Sequence, residues 1–247
     1  MKTLFITMLA CVMVMAQTKT GAPAATKKAA PAATAKTAPA ATKKVAAPAG
    51  PDLLKPSTLR AKAPELYKVK FTTTKGDVLI QVTRAWAPLG ADRFFNLIRN
   101  GFYTDAAFFR VLPRFVAQFG IAARPEVANA WEDAKFFDDK VLQSNKRGTL
   151  TFATAGPNTR TTQIFINFSD NAGLDTQGFA PFGQVIEGMQ LVDQFFSGYG
   201  EAPDQGSIRQ QGKAYVDRNF PNLDRILKAE IVKEDAPPAA PVADAKK

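Results

Sequence analysis

Tyr67, Val69 and Phe71 alternate with Lys68, Lys70 and Thr72, and after Lys75-Gly76 the apolar positions Val78, Ile80 and Val82 keep the same period of two. Successive side chains of a strand point to opposite faces, so this pattern predicts an amphipathic β-hairpin. Past Pro88 the period lengthens. Ala91, Phe94, Phe95 and Ile98 fall at i, i+3, i+4 and i+7, and Gly101 follows, which predicts a helix with one apolar stripe. Residues 108–120, FFRVLPRFVAQFG, read as two short apolar strands joined through Pro113-Arg114. Residues 124–146 are polar with few periodic apolar positions, and Trp131 within them reads as an anchor for a loop. Strands are expected again at 149–154, 163–167, 179–186 and 226–232, a second helix at Met189, Val192 and Phe196, and a short helix around Ser207–Asn219. Many short strands with two main helices indicate an antiparallel barrel or a sandwich.

Within that pattern Arg110 stands out, because Phe108, Phe109, Val111 and Leu112 flank it. A guanidinium buried among them without a partner would be very costly. Arg110 therefore meets a carboxylate, faces a cleft, or lies on the exposed face of an edge strand.

The stretch 108–120 resembles the signature of the cyclophilin family of peptidyl-prolyl cis-trans isomerases. Three further blocks follow in the family's order: GTLTFATAGPNTRTTQIFIN at 148–167, Gly173-Leu174-Asp175, and FGQVIEGM at 182–189. The resemblance spans about Tyr67–Val232. It implies a mainly β fold, a closed eight-stranded antiparallel barrel capped by two helices, with the interior filled by side chains and the binding site in an outer groove. It also implies the site. Arg110 and Gln118 would be catalytic, Phe115, Val116, Phe165 and Leu174 would line a proline pocket, and Ala153, Thr154 and Gln163 would contact the residues before the proline. Phe115 and Gln118 are three apart, so both reach one groove only if their strand bends or bulges. Isomerisation needs neither nucleophile nor metal, so no cofactor is expected. The chain departs from the family at Gly173, where many members carry an aromatic, and in the absence of a histidine beyond it, with Phe179 the nearest substitute. A non-catalytic module that merely holds proline-containing segments would have no need of Arg110.

Composition narrows the rest. The chain has no histidine, and its one cysteine, Cys11, lies in the N-terminal apolar run. That removes Cys-His and Ser-His-Asp catalysis and the usual zinc ligand sets. Residues 1–16, MKTLFITMLACVMVMA, read as a signal peptide, which predicts an exported, periplasmic or secreted protein; lipidation at Cys11 is the rival reading. Residues 17–63 are rich in Ala, Pro, Lys and Thr and are expected to form a disordered linker, as are 234–247 a tail, which leaves 64–233 as the folded domain. Ten Lys or Arg lie in residues 1–63 against the single acid Asp52, so most of the net charge of +10 belongs to that segment. The expected partners are proline-containing unfolded proteins, with weak contact of the linker to anionic envelope polymers. No nucleic-acid binding is expected of the near-neutral domain, which should be a monomer.

Overall fold

A computed structural model describes residues 53–232. The expected hairpin is formed by β1 (Leu66–Thr73) and β2 (Gly76–Thr83), paired from Leu66 opposite Thr83 to Thr73 opposite Gly76. Tyr67, Val69, Phe71, Val78, Ile80 and Val82 all face the core, as their period requires. Helix α1 (Pro88–Arg99) buries Ala91, Phe94, Phe95 and Ile98. Its own N-cap residue, Ala87, offers no side-chain cap; Asp139, far along the chain, accepts hydrogen bonds from the Leu89 and Gly90 amides at 3.0 and 2.8 Å instead.

The remaining strands are β3 (Ala106–Ala107), β4 (Arg110–Leu112), β5 (Val116–Phe119), β6 (Thr149–Phe152), β7 (Ile164–Asn167), β8 (Pro181–Glu187) and β9 (Arg225–Val232). Among the described residues they make one sheet in the order β3-β9-β1-β2-β8-β6-β7-β5-β4, every described pairing antiparallel. This corrects the expected closed eight-stranded barrel: the sheet is an open, curled half-barrel of nine strands. The physical reason lies at Phe108 and Phe109. Both rings are buried, at 0% and 1% exposure, and the chain changes partner across them. Before them it pairs with β9, the Phe108 amide donating to Asp224 O; after them it pairs with β5. The two end strands are thus neighbours in sequence without a ladder between them.

Aromatic rings pack within the curl. Phe71 meets Phe94 and Phe119 edge-on at 6.2 and 5.7 Å, Phe94 meets Phe182 at 5.0 Å, and Phe108 meets Phe195 at 4.1 Å. The interior is therefore side chain, which leaves the outer face of the sheet for binding.

The helical expectations need two adjustments. The second helix is a single turn, α3 (Met189–Val192), because Phe195 rather than Phe196 turns into the core. The stretch near 207–219 is two helices, α4 (Gln205–Gln211) and α5 (Lys213–Asn219), broken at Gly212. There φ is +60° and a Cβ would stand 2.2 Å from Ala123 O, so only glycine fits. A short helix in the polar stretch, α2 (Pro125–Ala130), was not foreshadowed by periodicity; it buries only Val127 and Ala128.

The domain also starts earlier than the expected boundary at 64. Leu53 and Ala63 are buried, Trp131 Nε1 donates to Leu53 O at 2.7 Å, and Asn96 exchanges hydrogen bonds with the Ala61 backbone at 3.0 and 2.7 Å. Residues 53–63 are thus seated on the fold, and Trp131 is the anchor that its setting suggested. The stretches expected to be a signal peptide, the rest of a linker and a tail lie outside the described residues.

Candidate active site

Cross-strand register assembles the site. Arg110 on β4 pairs with Gln118 on β5, Gln118 with Phe165 on β7, and Phe165 with Thr151 on β6. Directly opposed residues share a face, so these four side chains form one row across four strands on the side away from the core. The neighbouring row, Val111, Ala117, Ile166 and Leu150, is buried on the opposite side. Gln118 and Phe165 are 8% and 5% exposed and form a floor, while the Arg110 side chain keeps 26% exposure above it.

The guanidinium is held from several sides. Arg110 Nη1 donates to Gln118 Oε1 at 3.3 Å, Cζ lies 5.7 Å from the centre of the Phe115 ring, and Nε donates to Glu201 Oε1 at 2.6 Å. The three alternatives for Arg110 combine: on β4, an end strand of the sheet, it faces a cleft and meets a carboxylate. Gln118 Nε2 in turn donates to Gln163 Oε1 at 2.8 Å.

β5 contains no bulge. Phe115 belongs to the tight turn before it, where Arg114 has φ of +66° and the Phe115 amide donates to Leu112 O at 3.0 Å. A turn residue is free of strand alternation, so Phe115 and Gln118 reach the same groove although three apart. At the other end of β5, Gly120 adopts φ of +113°, and a Cβ there would lie 2.4 Å from Thr162 O. This close approach is what sets Gln118 beside Gln163.

Residues 68–212 match the model of the family described as cyclophilin type peptidyl-prolyl cis-trans isomerase/CLD. The chain belongs to this family and is an enzyme. A peptidyl-prolyl cis-trans isomerase of Acinetobacter baylyi is 36% identical over 135 residues, covering 51% of this chain and 70% of the relative. Peptidyl-prolyl cis-trans isomerase A of Dickeya dadantii is 32% identical, covering 51% and 69%. The crystal structure of a cyclophilin type isomerase of Cryptosporidium parvum superposes with a TM-score of 0.53 at 21% identity, over 69% of this chain and 99% of that one, which shows the shared fold.

In this cyclophilin the residues expected at the site are brought together unequally. Val116 precedes Gln118 by two on β5 and shares its face; it is 2% exposed. Ala153 extends β6, its amide donating to Gln163 O at 2.9 Å, and follows Thr151 by two. Thr154 is turned inward on its own loop, its hydroxyl bonded to Gly156 O and 2.8 Å from Thr159 Oγ1, so it shapes the turn. Leu174 is half-buried in a 3-10 turn, Ala172–Gln177. Gly173 has open space where a side chain would go, and Phe179 from the same loop packs edge-on against Phe165 at 5.7 Å. The ring nearest the missing family residues thus reaches the floor of the groove.

Periodicity could not have found the residues that fasten this loop. Asn145, fully buried in the polar stretch, donates to Asp175 Oδ1 and Phe179 O at 2.8 and 2.9 Å and accepts from Thr151 Oγ1 at 2.8 Å. Asn171 Nδ2 donates to Phe115 O at 3.0 Å, tying the loop to the turn across the groove. Burial alone would favour the neutral form of Asp175. Hydrogen bonds from the Ser144 hydroxyl at 2.6 Å and from the side chain and amide of Asn145 outweigh it and hold the carboxyl below its ordinary value. A carboxyl depressed in the fold stabilises above its unfolded pKa, about 3.9, and loses that contribution as pH falls through the lower folded value. Amide protection across residues 171–179 is therefore expected to stay flat from neutral pH to about 4 and to drop only below it. Asp175→Asn should lower it throughout. Hydrogen exchange read by mass spectrometry checks both; a decline already at pH 6 would show that another group fastens the loop.

Proposed function

We propose that the outer groove binds proline-containing segments of unfolded proteins, with Arg110 and Gln118 as the catalytic pair. The observation that carries this is the Arg110–Gln118 contact on the groove floor, with Phe115 beside the guanidinium and Phe165 next in the row. Val116, Phe165, Leu174 and Phe115 hold the proline ring. Ala153 and Gln163 meet the residues before it, and Thr154 acts through the shape of its turn.

The chemistry follows from the amide. Delocalisation of the nitrogen lone pair into the carbonyl makes rotation cost about 18–20 kcal/mol. At half-rotation the nitrogen is pyramidal and recovers that pair, so a donor aimed at it stabilises the twisted state above either planar one. Arg110 supplies that donor through its guanidinium N–H groups; Gln118 holds the guanidinium and the substrate carbonyl. The ring is gripped while the acyl side turns.

The apolar run at Met1–Ala16 supports action on exported proteins of the envelope or secreted space. An NMR exchange assay on an X-Pro peptide tests the site, with a rate matching the uncatalysed one as the adverse result. Cell fractionation with the mass of the mature chain tests the location: a cytoplasmic protein retaining Met1–Ala16 would overturn it.

A further inference from the structure

The hydrogen-bond chain through the groove starts and ends on one short segment. Glu201 Oε1 accepts from Arg110 Nε and lies 2.6 Å from Nη2; Arg110 donates to Gln118, Gln118 to Gln163, and Gln163 Nε2 to Gln205 Oε1 at 3.1 Å. Glu201 and Gln205 are four apart, at the beginning of the long connection 198–223 that leads to β9.

We propose that Glu201 and Gln205 are positioning residues for the catalytic pair, and that orienting it is what this connection does. The inference rests on Arg110 being the transition-state donor. Arginine has N–H groups and no acceptor, so Gln118 must turn Oε1 toward it and Nε2 away. Gln163 must then offer Oε1 to Gln118, and its own Nε2 needs an acceptor. Gln205 is that acceptor, and with it in place every amide in the chain has one orientation. At the other end Glu201 occupies the edge of the guanidinium formed by Nε and Nη2. With Gln118 on Nη1, the plane of the group is set, and one N–H on each terminal nitrogen is left for the substrate amide.

The segment is built to hold still. The Tyr199 ring packs between Phe196 at 4.8 Å and Phe220 at 5.1 Å. Asp204 caps α4, its Oδ1 accepting from the Ser207 amide at 2.7 Å. Arg209 on α4 meets Glu132, beyond α2, at 2.9 Å, and the Lys213 amide donates to Ala123 O at 2.8 Å. The Glu201 side chain is 64% exposed, so its ion pair adds little to stability. Its removal therefore separates a positioning role from a structural one.

The test is a double-mutant cycle. Glu201→Ala, Glu201→Gln, Gln205→Ala, Arg110→Ala and the double variant Arg110→Ala/Glu201→Ala are assayed by NMR exchange on an X-Pro peptide, with melting temperatures alongside. Glu201→Ala is expected to lower kcat/KM about tenfold, through kcat, at unchanged Tm. Glu201→Gln, which keeps one acceptor, should retain part of the rate, and Gln205→Ala should lose about threefold. In the Arg110→Ala background, Glu201→Ala should cost nothing further. Undiminished activity in Glu201→Ala, or an equal loss in both backgrounds, overturns the inference; a faster variant also overturns it and makes the contact a brake. Should Arg110→Ala match wild type, the assignment of Arg110 fails first. Should Arg110→Ala be inactive while Glu201→Ala is unaffected, only the positioning role fails.

Discussion

Arg110→Ala is expected to lower kcat/KM by about 10²–10³ while the protein remains folded. A donor preorganised toward developing charge is worth about 3–4 kcal/mol in the transition state, and the loss should fall mainly on kcat because the planar ground states do not use it. The fold has little to lose. Glu201 is largely in water already, and the one group left short is Gln118 Oε1, on a side chain only 8% exposed. An unpartnered buried acceptor costs about 1–2 kcal/mol, which corresponds to a fall of a few degrees in Tm. NMR exchange on an X-Pro peptide and a thermal melt read the two effects separately. A folded Arg110→Ala that isomerises at the wild-type rate would refute the mechanism.

The largest effect on stability is expected at Arg160. This arginine is 2% exposed, lies between Asp138 and Asp139 at 3.1 Å each, donates to Phe137 O, and rests 4.4 Å over the Phe136 ring. The side chain of Asp139 is itself 3% exposed and is the carboxylate that caps α1. Arg160→Ala would leave Asp139 buried without its counter-charge, so the loss is expected to be about 3–5 kcal/mol, on the order of 10 °C in Tm for a domain of this size. Arg160→Lys should recover only part, because an ammonium cannot fork to two carboxylates and a carbonyl. KM should rise together with the instability, since Arg160 pairs with Asp138, which accepts at 2.6 Å from the Asn158 amide in the turn that follows Ala153 and Thr154. Chemical denaturation measures the effect; a change below about 1 kcal/mol would mean that Arg93, 4.7 Å from the centre of the same Phe136 ring, takes over the charge.

The hairpin and α1 were legible because each buries one face, and burial of one face imposes a period on the residues themselves. The Arg110, Gln118, Gln163 and Phe165 set was legible only through resemblance. Periodicity could place Gln163 and Phe165 on one face, but it asked for a bend or a bulge to admit Phe115, because it cannot see that Phe115 belongs to the turn. Apart from Trp131, the polar stretch 124–146 carried no readable signal, yet it supplies Asn145 and Asp139, which fasten the groove loop and cap α1. Their partners are tens of residues away, and a single polar side chain leaves no pattern in the sequence around it.

Local alternation and helical spacing, which depend on near neighbours in the chain, by themselves determined the strands other than the two-residue β3, the main helix and the apolar core of this protein. Tertiary structure decided the rest. The switch of partners at Phe108 and Phe109 that leaves the sheet open depends on which strand lies alongside, as does the meeting of Arg110 with Glu201, 91 positions further on. Such contacts are set by how the sheet curls, and curling is the joint outcome of every strand pair, so no stretch of sequence contains it.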